Sequence, residues 1–161
     1  VKARLAASAA LALGLVLGAS GCSMLTYQAT TEKYDASDGV SVDVGDLDLR
    51  NILVVSEDGE DGILVMTVVN NGDDDVELGV QFGEGGGDTQ TVEIEAGATA
   101  AFGVDEVEGI DVLDPIVLEG IDTMPGALLP MYFQYGDTEG IQKQVPVLDA
   151  RLAEYNHLSS E

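Results

Sequence analysis

Residues 63–82 read ILVMTVVNNGDDDVELGVQF, and this stretch decides the fold class. Ile63–Val69 is apolar on both alternating sets, as a strand covered on both faces would be. Asn70-Asn71-Gly72-Asp73-Asp74-Asp75 is a turn, because Gly frees the backbone and Asn and Asp side chains bond their own main chain. Val76, Leu78, Val80 and Phe82 then alternate with Glu77, Gly79 and Gln81, the period of a strand with one buried face.

The same grammar extends both ways. Ser41–Val44 and Leu47–Ser56 are β-branched and aliphatic, and Glu57-Asp58-Gly59-Glu60-Asp61-Gly62 breaks the run with two turn glycines. Downstream, Val92 and Ile94 alternate with polar neighbours, and Ala98, Ala100, Phe102 and Val104 repeat the period. Residues 105–115 read as a long acidic connection. Leu129, Met131, Phe133 and Tyr135 share one strand face, and the turn Gly136–Gly140 leads into Ile141–Leu148. Pro146 removes a ladder donor there, which predicts an edge strand or a bulge. In the tail from Asp149, Leu148, Leu152 and Tyr155 fall on one face of a helical turn.

Roughly seven to nine short strands without a central amphipathic helix predict an all-β fold, an antiparallel immunoglobulin/cupredoxin-like β-sandwich, with a closed barrel as the alternative. The expected organisation is a signal peptide over 1–21, a lipidated tether over 22–39, the sandwich over 40–148 and a tail over 149–161. A length of 161 residues, 45% of them apolar, suits one folded domain.

Charge narrows the function. Thirty acidic side chains oppose six basic ones, a formal charge of −24. Nucleic acid is excluded as a partner, since phosphate backbones are held by clustered Lys and Arg. One Cys and one His, His157, leave little for a thiolate zinc site or a Cys/His catalytic pair.

The N-terminus, VKARLAASAALALGLVLGASGC, reads as an address. Lys2 and Arg4 are a positive start, and Leu5–Ser20 is an uncharged run of 16 residues. A spanning helix needs roughly 20 to cross a ~30 Å hydrocarbon core, so a cleaved export signal is the better reading. Ala19-Ser20-Gly21-Cys22 resembles the lipobox of bacterial lipoproteins, with Ala19 where that pattern most often has Leu. The resemblance implies that Cys22 is acylated and becomes the new N-terminus. Cleavage removes Lys2 and Arg4, leaving Lys33, Arg50, Lys143 and Arg151 against 30 acids, a charge of −26. Anionic headgroups repel such a surface, so acyl chains, at ~0.8 kcal/mol per buried CH₂, must do the anchoring. Residues 23–39 are a polar tether with a reach of roughly 20–25 Å.

The folded part carries a second resemblance. Val44–Arg50 followed by Leu64–Asn71 and Gly72-Asp73-Asp74, together with Leu129–Tyr135, Gly136-Asp137 and Val145-Pro146-Val147, is similar to the periplasmic copper chaperone family PCu(A)C. Those proteins hold Cu(I) with His and Met, soft or borderline ligands. This chain has no His between its second and last hairpins. Met124 and Met131 are the candidate Cu(I) ligands left, and Met66 and Met131 fall in apolar strands, where Met more often fills a core.

Calcium is a further alternative, with Glu57, Asp58, Glu60, Asp61, Asp73, Asp74 and Asp75 as oxygen donors, although neither turn has the spacing of an ion-wrapping loop. Hydrolase and nucleotide motifs (G-x-S-x-G, H-E-x-x-H, G-x-x-x-x-G-K) are absent. The low-charge segment Leu118–Pro130 reads as a crossover packed on the domain end, or else as an exposed apolar edge for a partner. The resulting expectation is a non-catalytic, membrane-anchored binding module with a protein partner at the cell envelope. Copper handling and a calcium-stabilised wall role are the alternatives.

Overall fold

The computed structural model describes residues 2–19, 34–35, 37–83 and 89–158, with the side chains of 14–19 left aside. Cys22 and most of the expected tether, 22–33 and 36, lie outside the described residues. One unit of the chain, ending at Tyr34, contains helix α1 (Lys2–Ala19), which covers the apolar run. Among the described residues no helix is long and apolar enough to cross a membrane.

The other unit begins at Asp35. Its described residues form ten strands: β1 (Val40–Val44), β2 (Leu47–Val55), β3 (Gly62–Asn70), β4 (Val76–Phe82), β5 (Thr89–Ile94), β6 (Thr99–Phe102), β7 (Asp111–Leu113), β8 (Ile116–Leu118), β9 (Leu128–Tyr135) and β10 (Ile141–Leu148). The fold is all-β. The strands form one curled, mixed sheet in the order β5-β4-β9-β10-β2-β3-β6-β7, with β1 beside β2 and β8 beside β3.

Two pairings correct the expectation of a purely antiparallel sheet. β10 runs parallel to β2 through Val147↔Val54 and Leu148↔Val55, and β6 runs parallel to β7. β2 and β10 are separated by residues 56–140 and β6 and β7 by residues 103–110, and in each case the intervening chain carries the strand back to run in the same direction. Residues 105–115 are also more than a connection, since they contain β7.

Pro146 sits where β10 changes partners. Val147 donates its N–H to Ala127 O (3.0 Å) and accepts from Gly126 N–H (2.7 Å), whereas Leu148 O accepts from Ser56 N–H on the β2 side. Alternation along the strand points residue 146 away from β9, one residue before the β2 ladder starts. The missing donor therefore breaks no bond to β9 and marks the end of the pairing with β2.

The main core draws on both halves of the sheet, from Leu64, Met66 and Val68 of β3 to Leu78, Val80, Met131 and Phe133 of β4 and β9. A bulge in β2 sets which side chains enter it. The β2–β3 register slips between Arg50 and Leu53, and Asn51 takes a φ of 50°. One extra residue reverses the alternation. Leu47 and Leu49 point into the main core before the bulge, and Ile52 and Val54 after it. Leu53 and Val55 are thereby turned to the opposite face, where they pack with Val65, Ala150 and Tyr155 in a second, smaller core.

That second core holds the C-terminal tail. Leu148, Tyr155 and Leu158 pack there, with a 3₁₀ turn at Asn156–Leu158, while Leu152 stays exposed. The tail explains why β3 is apolar on both alternating sets: Leu64, Met66 and Val68 face one core and Val65 the other.

Candidate functional site

The candidate metal ligands come first. Met66 and Met131 are buried in the main core, on β3 and β9. Met124 lies outside that core, 62% exposed, in the connection beside Gly59. The structure thus places Met131 as a core side chain and leaves Met124 as the only solvent-facing thioether of the three.

The acidic turns spend several of their carboxylates on the backbone. Ser56, nearly fully buried, accepts from Gly59 N–H (3.0 Å) through its hydroxyl. Asp58 Oδ1 accepts from Glu60 N–H (3.0 Å), and Asp61 Oδ1 from Gly120 N–H (3.0 Å). Asp75 Oδ1 accepts from Ala96 N–H (2.8 Å). Among the described residues no three His, Cys, Asp or Glu side chains converge as metal ligands would.

Asn70 anchors the 70–75 turn. Its side chain is almost fully buried; Nδ2 donates toward Asp74 O (2.9 Å), Glu95 O (3.1 Å) and Ile94 O (3.3 Å), and Oδ1 accepts from Gly72 N–H (2.9 Å). A buried amide with both its NH₂ and its oxygen engaged is a structural rivet, since leaving such groups unpaired would cost free energy. It ties the end of β3 to the end of β5.

The segment 118–130 packs as a crossover. Ile121 N–H bonds Glu60 O and Thr123 N–H bonds Gly59 O, while Leu118, Ile121 and Leu129 are buried. Met124 and Leu128 remain exposed on it.

A broad depression lies elsewhere, beyond the β5 end that Asn70 fixes. An open groove of about 1160 Å³ is lined by the end of β5 and the residues after it, by β6, by the 104–110 connection and by β7. β5 and β7 are the two ends of the strand order, so the groove lies where the curled sheet stops short of closing on itself. Its floor is aliphatic, from the buried Ile94 and Ala100 to the half-buried Val104, with Val107 (45% exposed) and Leu113 (39%) beside them. Seven of its sixteen lining residues are Asp or Glu, and none is Lys or Arg. Gly103, with a φ of +65°, lets the chain leave β6 hard against β3: a Cβ there would meet Leu64 O at 2.8 Å.

Sequence reasoning placed no site here. The signal lay in residues 105–115, DEVEGIDVLDP, where Val107, Ile110, Val112 and Leu113 are interspersed with acids. A connection that only needs solvation has no use for four aliphatic side chains.

No protein-family model matches the chain, and no curated protein matches it.

Proposed function

We propose that the chain is an exported lipoprotein, held at the extracytoplasmic face of a cell membrane through Cys22, whose folded part is a non-catalytic module that binds a partner. The observation that carries the binding half is the groove at the open side of the sheet, with carboxylates along its rim and aliphatic side chains on its floor. That lining offers attraction and apolar contact. It contains no Ser, Thr, Cys, His, Lys or Tyr, and its seven carboxylates, the side chains left that can act as nucleophile or base, are all exposed. The finer fold reading, a sandwich of immunoglobulin/cupredoxin type, is supported by the main core that β1–β3 and β4, β9 and β10 build between them.

Support for the anchoring half comes from the leader: Lys2 and Arg4, the uncharged run that follows, and the small residues before Cys22. The strongly negative surface makes lipid the only attractive term with an anionic bilayer. The test is Cys22→Ala. In cells it should move the protein from the membrane fraction to the soluble extracytoplasmic fraction, and mass spectrometry of the wild type should find Cys22 acylated at the mature N-terminus. Continued membrane association of the variant would sink the anchoring.

A further inference from the structure

We propose that the groove between β5 and β7 takes an extended, cationic segment of a partner protein, which adds to the sheet as a strand. The inference gives the binding module a ligand class; it rests on the binding half of the proposal above and not on the lipid anchor.

Three observations meet at this place. First, among the described residues β5 pairs only with β4 and β7 only with β6, so each has an edge that no described strand covers, and both strands line the same groove. An unpaired edge presents main-chain donors and acceptors to any extended chain that fits beside it. Second, the floor is apolar and accessible at Val107 and Leu113. Third, the rim carries Glu93, Glu95, Glu106, Glu108, Asp111 and Asp114, all exposed and unopposed by any lining base.

Charge selects the occupant. A second copy of this chain would bring its own excess of acid to a rim of the same sign, and like charges across an interface are repelled. The acids therefore guard the edges against self-pairing while leaving them open to a segment of opposite sign. A strand with Lys or Arg alternating with aliphatic residues meets both demands, because a period of two sends one set toward the floor and the other toward the rim and solvent. Low-charge Leu118–Pro130, where Met124 and Leu128 are exposed, lacks such a selector.

The test uses the full chain in neutral detergent and a fluorescein-labelled peptide alternating lysine with valine, followed by fluorescence anisotropy at low salt. Glu93→Gln, Glu106→Gln and Asp111→Asn together should weaken binding by about tenfold or more. Three matched neutralisations away from the groove, Glu57→Gln, Asp73→Asn and Glu119→Gln, should weaken it by less than about twofold. Leu113→Ser with Val107→Ser, which leaves charge untouched, should also weaken it by about tenfold. A peptide of the same composition with its lysines in one block should bind about tenfold more weakly.

Absence of binding overturns the inference. So does equal weakening by the two neutralised sets, or equal binding of the blocked peptide, since either marks diffuse Coulomb attraction. Self-association of the wild type that Leu113→Ser with Val107→Ser abolishes would put a second copy in the groove and overturn it as well. Loss of anchoring in Cys22→Ala is read independently, so a peptide that fails to bind leaves the membrane attachment standing.

Discussion

The middle of the sheet and its open side are built on opposite principles. At β2 and β3 both faces are covered, by the main core on one side and by the tail on the other, and the side chains sent into the two cores are aliphatic except Met66. At β5 and β7 one edge is unpaired and the exposed side chains are mostly acids. Stability is concentrated where two layers bury one strand; recognition is left to the part where burial stops. Substitutions in the two regions should therefore differ in size and in kind.

The largest effect belongs to the covered middle. Leu64→Ala, at a fully buried position of β3, should cost about 3 kcal/mol in urea unfolding, from lost transfer energy and the cavity left behind. A loss below that of an ordinary surface substitution would mean that the two-sided covering of β3 is not the stabilising centre.

Asn70→Ala sits between the two regions. It leaves the carbonyls of Asp74, Ile94 and Glu95 without their side-chain donor and should cost about 2 kcal/mol. Hydrogen exchange should quicken at the end of β5 and around the 70–75 turn before it quickens in β2. Uniform acceleration would show that the rivet does not hold the groove wall.

The tail tests the second face. Tyr155 is buried and its hydroxyl donates to Asp38 Oδ2 (3.2 Å). Burial, reinforced by the Asp38 charge, pushes its pKa up to about 12 from the ordinary 10. The folded state therefore holds this proton more tightly than the unfolded chain. Its contribution to stability is complete below pH 10 and is lost as pH rises from 10 to 12. Tyr155→Phe should cost about 1 kcal/mol at neutral pH and flatten that alkaline decline. An unchanged decline in the variant would assign it to other groups.

The smallest effect belongs to the open side. The groove triple Glu93→Gln/Glu106→Gln/Asp111→Asn should change stability by no more than about 0.5 kcal/mol, and upward at low salt, because it removes repulsion among exposed carboxylates. A loss on the scale of Leu64→Ala would make these acids structural.

Much of the fold was legible because alternation is a local property. The strands over 76–82 and 129–135 stand where the period of two placed them, those over 63–69 and 141–148 where a two-sided apolar run and a turn placed them, and Asn70-Asn71-Gly72 turns the chain as those residue types predict. β7 escaped because three residues with the pattern acid, Val, Leu carry no period. The parallel pairing of β10 with β2 escaped because register across some ninety residues is set by packing and not by neighbours in sequence. The groove was invisible for the same reason: Glu93 and Asp111 are ordinary acids until the curl of the sheet brings their strands to one opening.

The sequence alone determined the class of the fold, the two-sided covering of β3, the sign of the surface and the expectation of a leader ending at Cys22. These follow from residue type and spacing, which act over a few residues. Only the tertiary structure decided that the bulge at Asn51 turns Leu53 and Val55 outward to receive the tail, that Met131 is core, and that the sheet stays open between β5 and β7. Those outcomes depend on which surfaces meet across long stretches of chain, and no local pattern encodes a meeting.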